Sequence, residues 1–247
     1  MLLRLRGATV PGRLAPFSAD LPNGQLLHLV GPNGAGKSSM LALLAGMLEG
    51  MGETELLGTP LADWHGPALA RIRAWLPQQQ VQPGIMPVYH YLRLHLQNSQ
   101  NDERVIELLE RLQLRDKLQR PLTQLSGGEW QRVRLAAVCA QIDPGVNPQG
   151  KLLILDEPMT ALDIAQQHAV DGILTELCCQ GVGIIASSHD LNHTLTHADE
   201  VWLMQKGTVV AQGEPHAVLS AGQLSAVYQI PFRQFELDGR TLLTAQP

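Results

Sequence analysis

The stretch Gly31-Pro32-Asn33-Gly34-Ala35-Gly36-Lys37-Ser38 constrains the fold of this chain more than any other, because it matches the spacing G-x-x-x-x-G-K-[ST] at every fixed position. Apolar runs at 26–30 and 40–45 flank it, which predicts a buried strand, a loop and a helix. Glycines let backbone N–H groups point inward, and the start of a helix attracts negative charge. The stretch therefore predicts a polyphosphate site. A glycine-rich turn that merely caps a helix is the alternative.

Two side chains give this loop its chemistry. Lys37 is expected to contact the β- and γ-phosphates, and the Ser38 hydroxyl is expected to hold Mg²⁺, which retains waters and phosphate oxygens as its other ligands. The phosphate-contacting residues predicted here are Gly31, Pro32, Asn33, Gly34, Ala35, Gly36, Lys37, Ser38 and Ser39.

Composition restricts the class of protein. The chain has 247 residues, of which 45% are hydrophobic, so it can bury the core of one α/β domain. A net charge of −5 without any run of Lys or Arg disfavours nucleic acid as a partner. Apolar runs fall short of the ~18 residues of a membrane span, so we expect any membrane role to come through a partner. Three thiols, at Cys139, Cys178 and Cys179, are predicted to be reduced in a cytosolic protein.

Patterning along the chain predicts a parallel-sheet core with an antiparallel β flank and an inserted helical lobe. We expect strands at 3–5 and 53–57, with 7–23 as loops around short β segments. The pattern becomes helical from 87 to 120. We therefore divide a single domain, 1–247, into a phosphate-loop core with its β flank (1–86), a helical subdomain (87–140) and a second half of the core with C-terminal hairpins (141–247).

One amphipathic helix is expected within the helical lobe. Asp102 is its candidate N-cap, after a polar break at Asn98–Asn101. Its apolar stripe is predicted to consist of Val105, Ile106, Leu108, Leu109 and Leu112.

A second glycine-rich helix start lies at Leu125-Ser126-Gly127-Gly128-Glu129-Trp130-Gln131-Arg132. Ser126 and Glu129 fit a capping box, in which each side chain accepts a hydrogen bond from the backbone of the other. A well-capped helix is the simple interpretation. Taken alone, the stretch favours that interpretation, but two glycines in the first turn cost about 1–2 kcal/mol of helix stability. That cost is explained if bare backbone amides must approach a ligand.

Two acids follow a predicted strand at 152–155, whose four aliphatic residues indicate burial on both faces. They fall at the carboxyl end of the strand, where open α/β sheets bind ligands. Asp156 is expected to hold Mg²⁺ through water, and Glu157 is expected to polarise the attacking water. A solvated turn is the alternative. His189 follows the next strand, 182–187, and is placed to touch a γ-phosphate.

The remaining polar residues of this half carry weaker signals. Asp163 fits the N-cap of a helix at 164–179. His193 and His197 have i,i+4 spacing on a predicted helix, but without a matching third ligand they are interpreted as surface residues. The C-terminal region is predicted to form hairpins at 201–210 and 235–243, with short helices around 217–228.

The chain resembles the ATP-binding cassette ATPases over nearly its whole length, in the order and spacing of the phosphate loop, Gln78, the stretch 125–132, the acids at 156–157, the segment 160–163 and His189. The family fold is a P-loop NTPase (RecA-like) parallel-sheet core with an antiparallel β flank and an inserted α-helical subdomain. The resemblance implies a head-to-tail dimer that encloses ATP. The residues that one copy would present to ATP on the other are Ser126, Gly127, Gly128, Glu129 and Asp163.

The same resemblance implies roles for other residues and partners. Gln78 would join Ser38 and Asp156 around Mg²⁺, and it would act in catalysis with Glu157 and His189. A transmembrane permease would receive the movement of the segment that follows Gln78, and a periplasmic substrate-binding protein would take part indirectly. The expected location is the cytoplasmic face of the bacterial inner membrane.

Several stretches resemble the family members that energise import of vitamin B12 (cobalamin), namely 78–80, 87–92, 128–135 and 187–193. Cobalamin is therefore the expected cargo, with iron-siderophore or haem import as the near alternative. A soluble ATPase of an iron–sulfur assembly scaffold is a second alternative, whereas the acidic charge disfavours a DNA-repair or translation ATPase. The aromatic that many members stack on adenine is absent near 10–13, where Arg13 is the candidate.

Overall fold

The computed structural model describes residues 1–96 and 102–246, which contain three sheets. The strands are β1 Leu3–Val10, β2 Leu14–Leu21, β3 Leu26–Val30, β4 Met51–Leu56, β5 Thr59–Pro60, β6 Arg73–Leu76, β7 Leu152–Leu155, β8 Gly183–Ser188, β9 Glu200–Gln205, β10 Thr208–Gly213, β11 Phe232–Leu237 and β12 Arg240–Ala245. The central sheet has the order β10-β9-β3-β8-β7-β6. Its strands pair in parallel except at the β9–β10 hairpin. The carboxyl ends of β3, β7 and β8 consequently meet at one edge of the sheet.

Nine α-helices accompany the sheets within the described residues. They are α1 Lys37–Leu44, α2 Gly66–Ile72, α3 Val88–His95, α4 Asp102–Arg111, α5 Gly127–Ile142, α6 Ile164–Cys179, α7 Leu191–His197, α8 Pro215–Val218 and α9 Ala221–Tyr228. The predicted C-terminal hairpins and short helices are confirmed as β9–β10, α8, α9 and β11–β12. No helix in the described part of the chain is both long and apolar enough to span a lipid bilayer.

The antiparallel flank is a four-stranded sheet with the order β2-β1-β4-β5. The prediction of loops around short β segments at 7–23 is right about β structure but underestimates its extent, because this region completes the eight-residue β1 and forms the eight-residue β2. The pairing of β1 with β2 shifts register twice, between Leu5 and Ala8 and between Ala8 and Val10. These irregularities accommodate Gly7 inside a strand, since extra residues in a ladder are absorbed as bulges.

Apolar residues fill both faces of the central sheet. Leu153 and Leu155 of β7 pack with α3, α4 and α5 on one face, whereas Leu152 and Ile154 pack with α1 and the antiparallel flank on the other. The predicted burial of β7 on both faces is therefore confirmed. This arrangement fixes the carboxyl end of β7, where Asp156 and Glu157 emerge.

The amphipathic helix of the lobe is α4, with one correction to its stripe. Val105, Leu108, Leu109 and Leu112 are buried, but Ile106 is 41% exposed. The buried positions follow i, i+3, i+4, i+7, and Ile106 lies about 100° around the helix from Val105. Asp102 is the first residue of α4, and the predicted break at 98–101 lies outside the described residues.

Candidate active site

The phosphate loop joins β3 to α1, as predicted. Gly31 and Gly36 have φ values of 152° and 103°, in the region that favours glycine. A Cβ on Gly31 would lie 2.2 Å from the carbonyl oxygen of Met204, so only glycine lets the loop pass the neighbouring strand this closely. The loop can adopt this conformation only because Gly31 and Gly36 have no side chain.

Lys37 opens α1, but its side chain turns back over the loop. Its ammonium group donates to the carbonyl oxygens of Gly31 at 2.7 Å and Pro32 at 3.2 Å. Burial lowers the pKa of Lys37, while the charges of Glu157 and Asp156 act in the opposite direction. The acids at the end of β7 are thus close enough to Lys37 to stabilise its charge.

Asp156 and Glu157 are adjacent in sequence but occupy different environments. Asp156 is buried, and its Oδ1 accepts a hydrogen bond of 2.6 Å from the Ser187 hydroxyl at the end of β8. The same hydroxyl oxygen accepts from the backbone N–H of Glu157 at 2.8 Å. Glu157 itself has a φ of 51°, an uncommon conformation for a residue with a side chain. Ser187 therefore holds the turn that separates the two carboxylates.

Three polar side chains converge on the carboxylate of Glu157. Its Oε1 accepts from Gln78 Nε2 at 2.9 Å and lies 2.6 Å from His189 Nε2, and its Oε2 accepts from the Thr160 hydroxyl at 3.4 Å. Burial raises the pKa of Glu157, but the hydrogen bonds from His189, Gln78 and Thr160 outweigh burial and hold the pKa below its usual range. Glu157 is therefore ionised at neutral pH and can accept a proton.

One pocket of about 540 Å³ brings the phosphate loop and these side chains together. It is lined by Asn33, Gly34, Ala35, Gly36, Lys37, Ser38, Ser39, Gln78, Glu157 and His189. The volume lies within the range of small-molecule sites. The three residues predicted to be catalytic thus share a pocket with the predicted phosphate loop, although their contact with ATP stays a prediction.

The second glycine-rich helix start lies outside that pocket. The predicted capping box is confirmed at the start of α5: Ser126 N–H donates to the Glu129 carboxylate at 2.9 Å, and Glu129 N–H donates to the Ser126 hydroxyl at 3.2 Å. Because these bonds occupy Ser126 and Glu129, the N–H groups of Gly127 and Gly128 are the helix-start donors left for another acceptor. Asp163 also lies outside the pocket and caps α6.

The two glycines of this helix start have different surroundings. A Cβ on Gly128 would lie 2.8 Å from the Ala161 carbonyl oxygen, whereas a Cβ on Gly127 would meet nothing within 4 Å. Packing within the chain therefore explains the glycine at Gly128 but not the one at Gly127.

Sequence reasoning missed two residues that organise the site. Ser187 ends the predicted strand at 182–187, and its polar side chain at the end of the strand next to β7 is the signal that identifies it. Arg134 is buried on α5 and donates to the backbone carbonyl of Pro77 and to the side chains of Gln80 and Gln131. Arg134 therefore connects α5 to the segment that carries Gln78, a link for which the sequence offers no local signal.

The interpretation of His193 and His197 as surface residues without a third ligand is wrong. Both side chains are partly buried on α7, and both contact the carboxylate of Asp171 on α6. The sequence carries no signal for Asp171, because it lies 22 residues before His193 and meets it only where α6 and α7 both contact β3.

A phosphate loop that shares its pocket with an ionised glutamate at the carboxyl end of β7, two strands away in the same sheet, defines a P-loop nucleotide hydrolase. The chain belongs to the ABC transporter family, whose family model matches residues 14–160. It is an ATP-binding subunit of this family that hydrolyses ATP, which confirms the class of protein predicted from the motifs.

Proteins that align with this chain over nearly their whole length are also ATP-binding proteins by name. Two proteins called Vitamin B12 import ATP-binding protein BtuD, from Escherichia coli O45:K1 (strain S88 / ExPEC) and Escherichia coli O139:H28 (strain E24377A / ETEC), are each 49% identical to this chain over 243 residues. The alignments cover 98% of this chain and 98% of each relative.

Solved structures share the fold. One described as the ATP binding subunit of an ABC transporter has a TM-score of 0.81 at 25% identity and covers 93% of this chain and 98% of that chain. An ATP-binding cassette of an ABC transporter in its ADP conformation has a TM-score of 0.73 at 23% identity and covers 92% and 98%. The predicted fold class is therefore confirmed.

Proposed function

We propose that this chain is the ATPase subunit of a vitamin B12 (cobalamin) importer at the cytoplasmic face of the bacterial inner membrane. The observation that carries the proposal is the 49% identity to Vitamin B12 import ATP-binding protein BtuD, which extends over 98% of both chains. A likeness of that extent includes the regions that differ among transporters as well as the nucleotide site. The nucleotide site alone supports ATP hydrolysis but says nothing about cargo.

The phosphate loop, Lys37 and the start of α1 hold the phosphates of ATP in this proposal. Mg²⁺ fits the donor set, because Ser38 and Gln78 line the pocket and Asp156 supplies a carboxylate held by Ser187. When bound, Mg²⁺ neutralises charge on the phosphates. Gln78 Nε2 donates to Glu157, so the amide oxygen of Gln78 is the atom that remains for the ion.

Glu157 acts as the general base. Its carboxylate accepts a proton from the water that attacks the γ-phosphate, and the products are ADP and phosphate. His189 contacts Glu157 at 2.6 Å and lines the pocket, where it orients the carboxylate and stabilises charge on the transferred phosphoryl group. The hydrogen bonds from Gln78 and His189 place the carboxylate of Glu157 before ATP binds.

A second copy of the chain completes the site. Ser126, Gly127, Gly128 and Glu129, at the end of the helical subdomain, close over ATP bound to the phosphate loop of the partner, together with Asp163. ATP then contacts both copies only in the closed state, so binding favours closure and hydrolysis removes that preference. The cycle drives transmembrane permease subunits, and a periplasmic substrate-binding protein delivers cargo to them.

Replacing Glu157 tests the hydrolytic mechanism. Glu157→Gln should slow ATP turnover about 10²–10⁴-fold and accumulate an ATP-bound dimer on size exclusion, because the nucleotide still binds but no group accepts the proton. Glu53→Gln, an exposed carboxylate on β4, is the matched control and should hydrolyse ATP normally. Unaltered turnover in Glu157→Gln would remove this residue from the mechanism.

Cargo is tested separately in membranes. The chain is co-purified with its permease from detergent-solubilised membranes and reconstituted in vesicles with ATP. ATP-driven uptake of labelled cobalamin supports the proposal, whereas uptake of an iron chelate without cobalamin reverses the choice of cargo. Purification without any permease would instead favour the assembly-scaffold function.

A further inference from the structure

Three potential metal ligands converge between α6 and α7, away from the phosphate loop. They are Asp171 on α6 and the pair His193 and His197 on α7. One ligand atom from each side chain lies within 4.8 Å of the other two. Within residues 1–96 and 102–246, this is the only group of three or more His, Cys, Asp or Glu side chains that converges in this way.

The distances between the ligand atoms of this cluster are close to those between ligands of one metal ion. His193 Nε2 lies 2.9 Å from Asp171 Oδ1, and His197 Nε2 lies 3.6 Å from Asp171 Oδ2. Ligands at 2.0–2.2 Å from a tetrahedral ion are about 3.3–3.6 Å apart, so the His197 separation matches that range and the His193 separation is slightly shorter. The His197 contact is too long for a hydrogen bond, so the Asp171 pairing does not by itself satisfy this imidazole. Small side-chain movements would place all three ligands around one ion.

The helix geometry explains why the two imidazoles meet. Residues four apart on a helix lie on the same face, and the rings of His193 and His197 have centroids 4.4 Å apart. The Nε2 atoms of both rings face the same carboxylate, that of Asp171.

A second layer of contacts holds α7 in place. His28 on β3 stacks on His193 with centroids 5.9 Å apart, and its Nδ1 contacts the Thr194 hydroxyl at 3.0 Å. Such outer contacts orient metal ligands and reduce the cost of bringing them together.

We propose that Asp171, His193 and His197 form a binding site for one divalent transition-metal ion of the Zn²⁺ class. Two imidazoles and one carboxylate suit Zn²⁺ and its neighbours in the first row, and they are a poor set for Mg²⁺ or Ca²⁺, which prefer oxygen ligands. The ion joins α6 to α7, and solvent reaches it through the partly exposed His197.

The position of the site connects it to the nucleotide pocket. His193 lines a cavity of about 200 Å³ whose wall also includes Glu157 and His189. His189 lies directly before Asp190, whose side chain caps α7 by accepting from His193 N–H. An ion between α6 and α7 therefore stabilises the segment that carries His189.

Metal binding to the full chain tests the proposal without reference to ATP turnover. The protein, free of any affinity tag and nucleotide, is treated with chelator and titrated with Co²⁺ and Zn²⁺ in excess Mg²⁺, which occupies sites made of oxygen ligands alone. We expect one equivalent of Co²⁺ with the visible absorption of a four-coordinate nitrogen–oxygen site, and displacement of Co²⁺ by Zn²⁺. At 100 times its Kd, Zn²⁺ should raise Tm by about 5 °C.

Three variants decide where the ion binds. His193→Gln and His197→Gln should each weaken Zn²⁺ binding at least ~10-fold and abolish the rise in Tm, whereas His216→Gln, an exposed histidine on α8, should behave as the unmodified chain. Melting without metal checks that each variant is folded. The proposal is refuted if the unmodified chain binds no Co²⁺ or Zn²⁺, a result that needs no variant, or if folded His193→Gln and His197→Gln bind as well as His216→Gln.

Discussion

Replacing Gly127 by alanine separates stability from function at the start of α5. A Cβ at this position meets nothing within 4 Å, and the backbone is helical. Gly127→Ala should therefore stabilise the fold by about 0.5–1 kcal/mol, because alanine loses less conformational freedom in a helix than glycine. The unfolding entropy of a domain this size is about 0.5 kcal/mol per kelvin, so Tm should rise by about 1–2 °C.

The same substitution should slow ATP hydrolysis. In the proposed dimer, the N–H groups of Gly127 and Gly128 face the phosphates bound by the partner copy. A methyl group on Gly127 would hold these N–H groups away from the phosphates. A hydrogen bond to a charged group contributes about 1.5–3 kcal/mol, and loss of one such bond corresponds to turnover that is about 10- to 150-fold slower.

Gly222→Ala is the matched control for this prediction. Gly222 is the second residue of α9, is exposed, and also has nothing within 4 Å of an added Cβ. Its substitution should raise stability as much as Gly127→Ala but leave turnover unchanged. Urea unfolding and a phosphate-release assay on the three proteins supply the data. Normal turnover in Gly127→Ala would refute the argument that the open space beside Gly127 contacts the nucleotide of the partner copy.

Two further predictions concern a buried arginine and the thiols. Arg134→Leu should destabilise the chain by about 2–4 kcal/mol, because buried acceptors around the segment of Gln78 lose a charged donor; urea unfolding measures this, and an unchanged midpoint would contradict it. Burial raises the pKa values of Cys139 and Cys178 to about 12, whereas Cys179 is exposed. Ellman's reagent at pH 8 should therefore label one thiol rapidly in the native protein and all three in denaturant, and three rapid thiols in the native state would contradict this.

Local signals predicted much of the fold. Three features depend only on residues that are close in sequence. They are the strand and helix on either side of the phosphate loop, the capping box of Ser126 and Glu129, and the burial of β7. Such features follow from periodicity and backbone chemistry, so the sequence suffices. The prediction that Ile106 is buried was wrong, because a run of aliphatic residues does not by itself show which of them faces solvent.

Long-range pairing could not be predicted in the same way. The strands within 7–23 form because β1 pairs with β2 on one side and with β4 on the other. The bulges in β1 interrupt the alternation of apolar and polar residues by which a strand is recognised in a sequence. The link from Arg134 to the segment of Gln78 joins positions 54 to 57 residues apart. No local spacing encodes such contacts, because they depend on which elements pack together.

The sequence by itself determined that a glycine-rich loop joins a buried strand to a helix at 31–38, because that loop is built from consecutive residues with fixed backbone requirements. Only the tertiary structure decided which of two adjacent glycines is needed for packing, since the Ala161 carbonyl reaches Gly128 and not Gly127. It also decided that Asp171 meets His193 and His197, because the placement of α6 and α7 on β3 sets that distance. A pattern along the chain specifies conformation over a few residues, whereas the neighbours of a side chain are set by the whole fold.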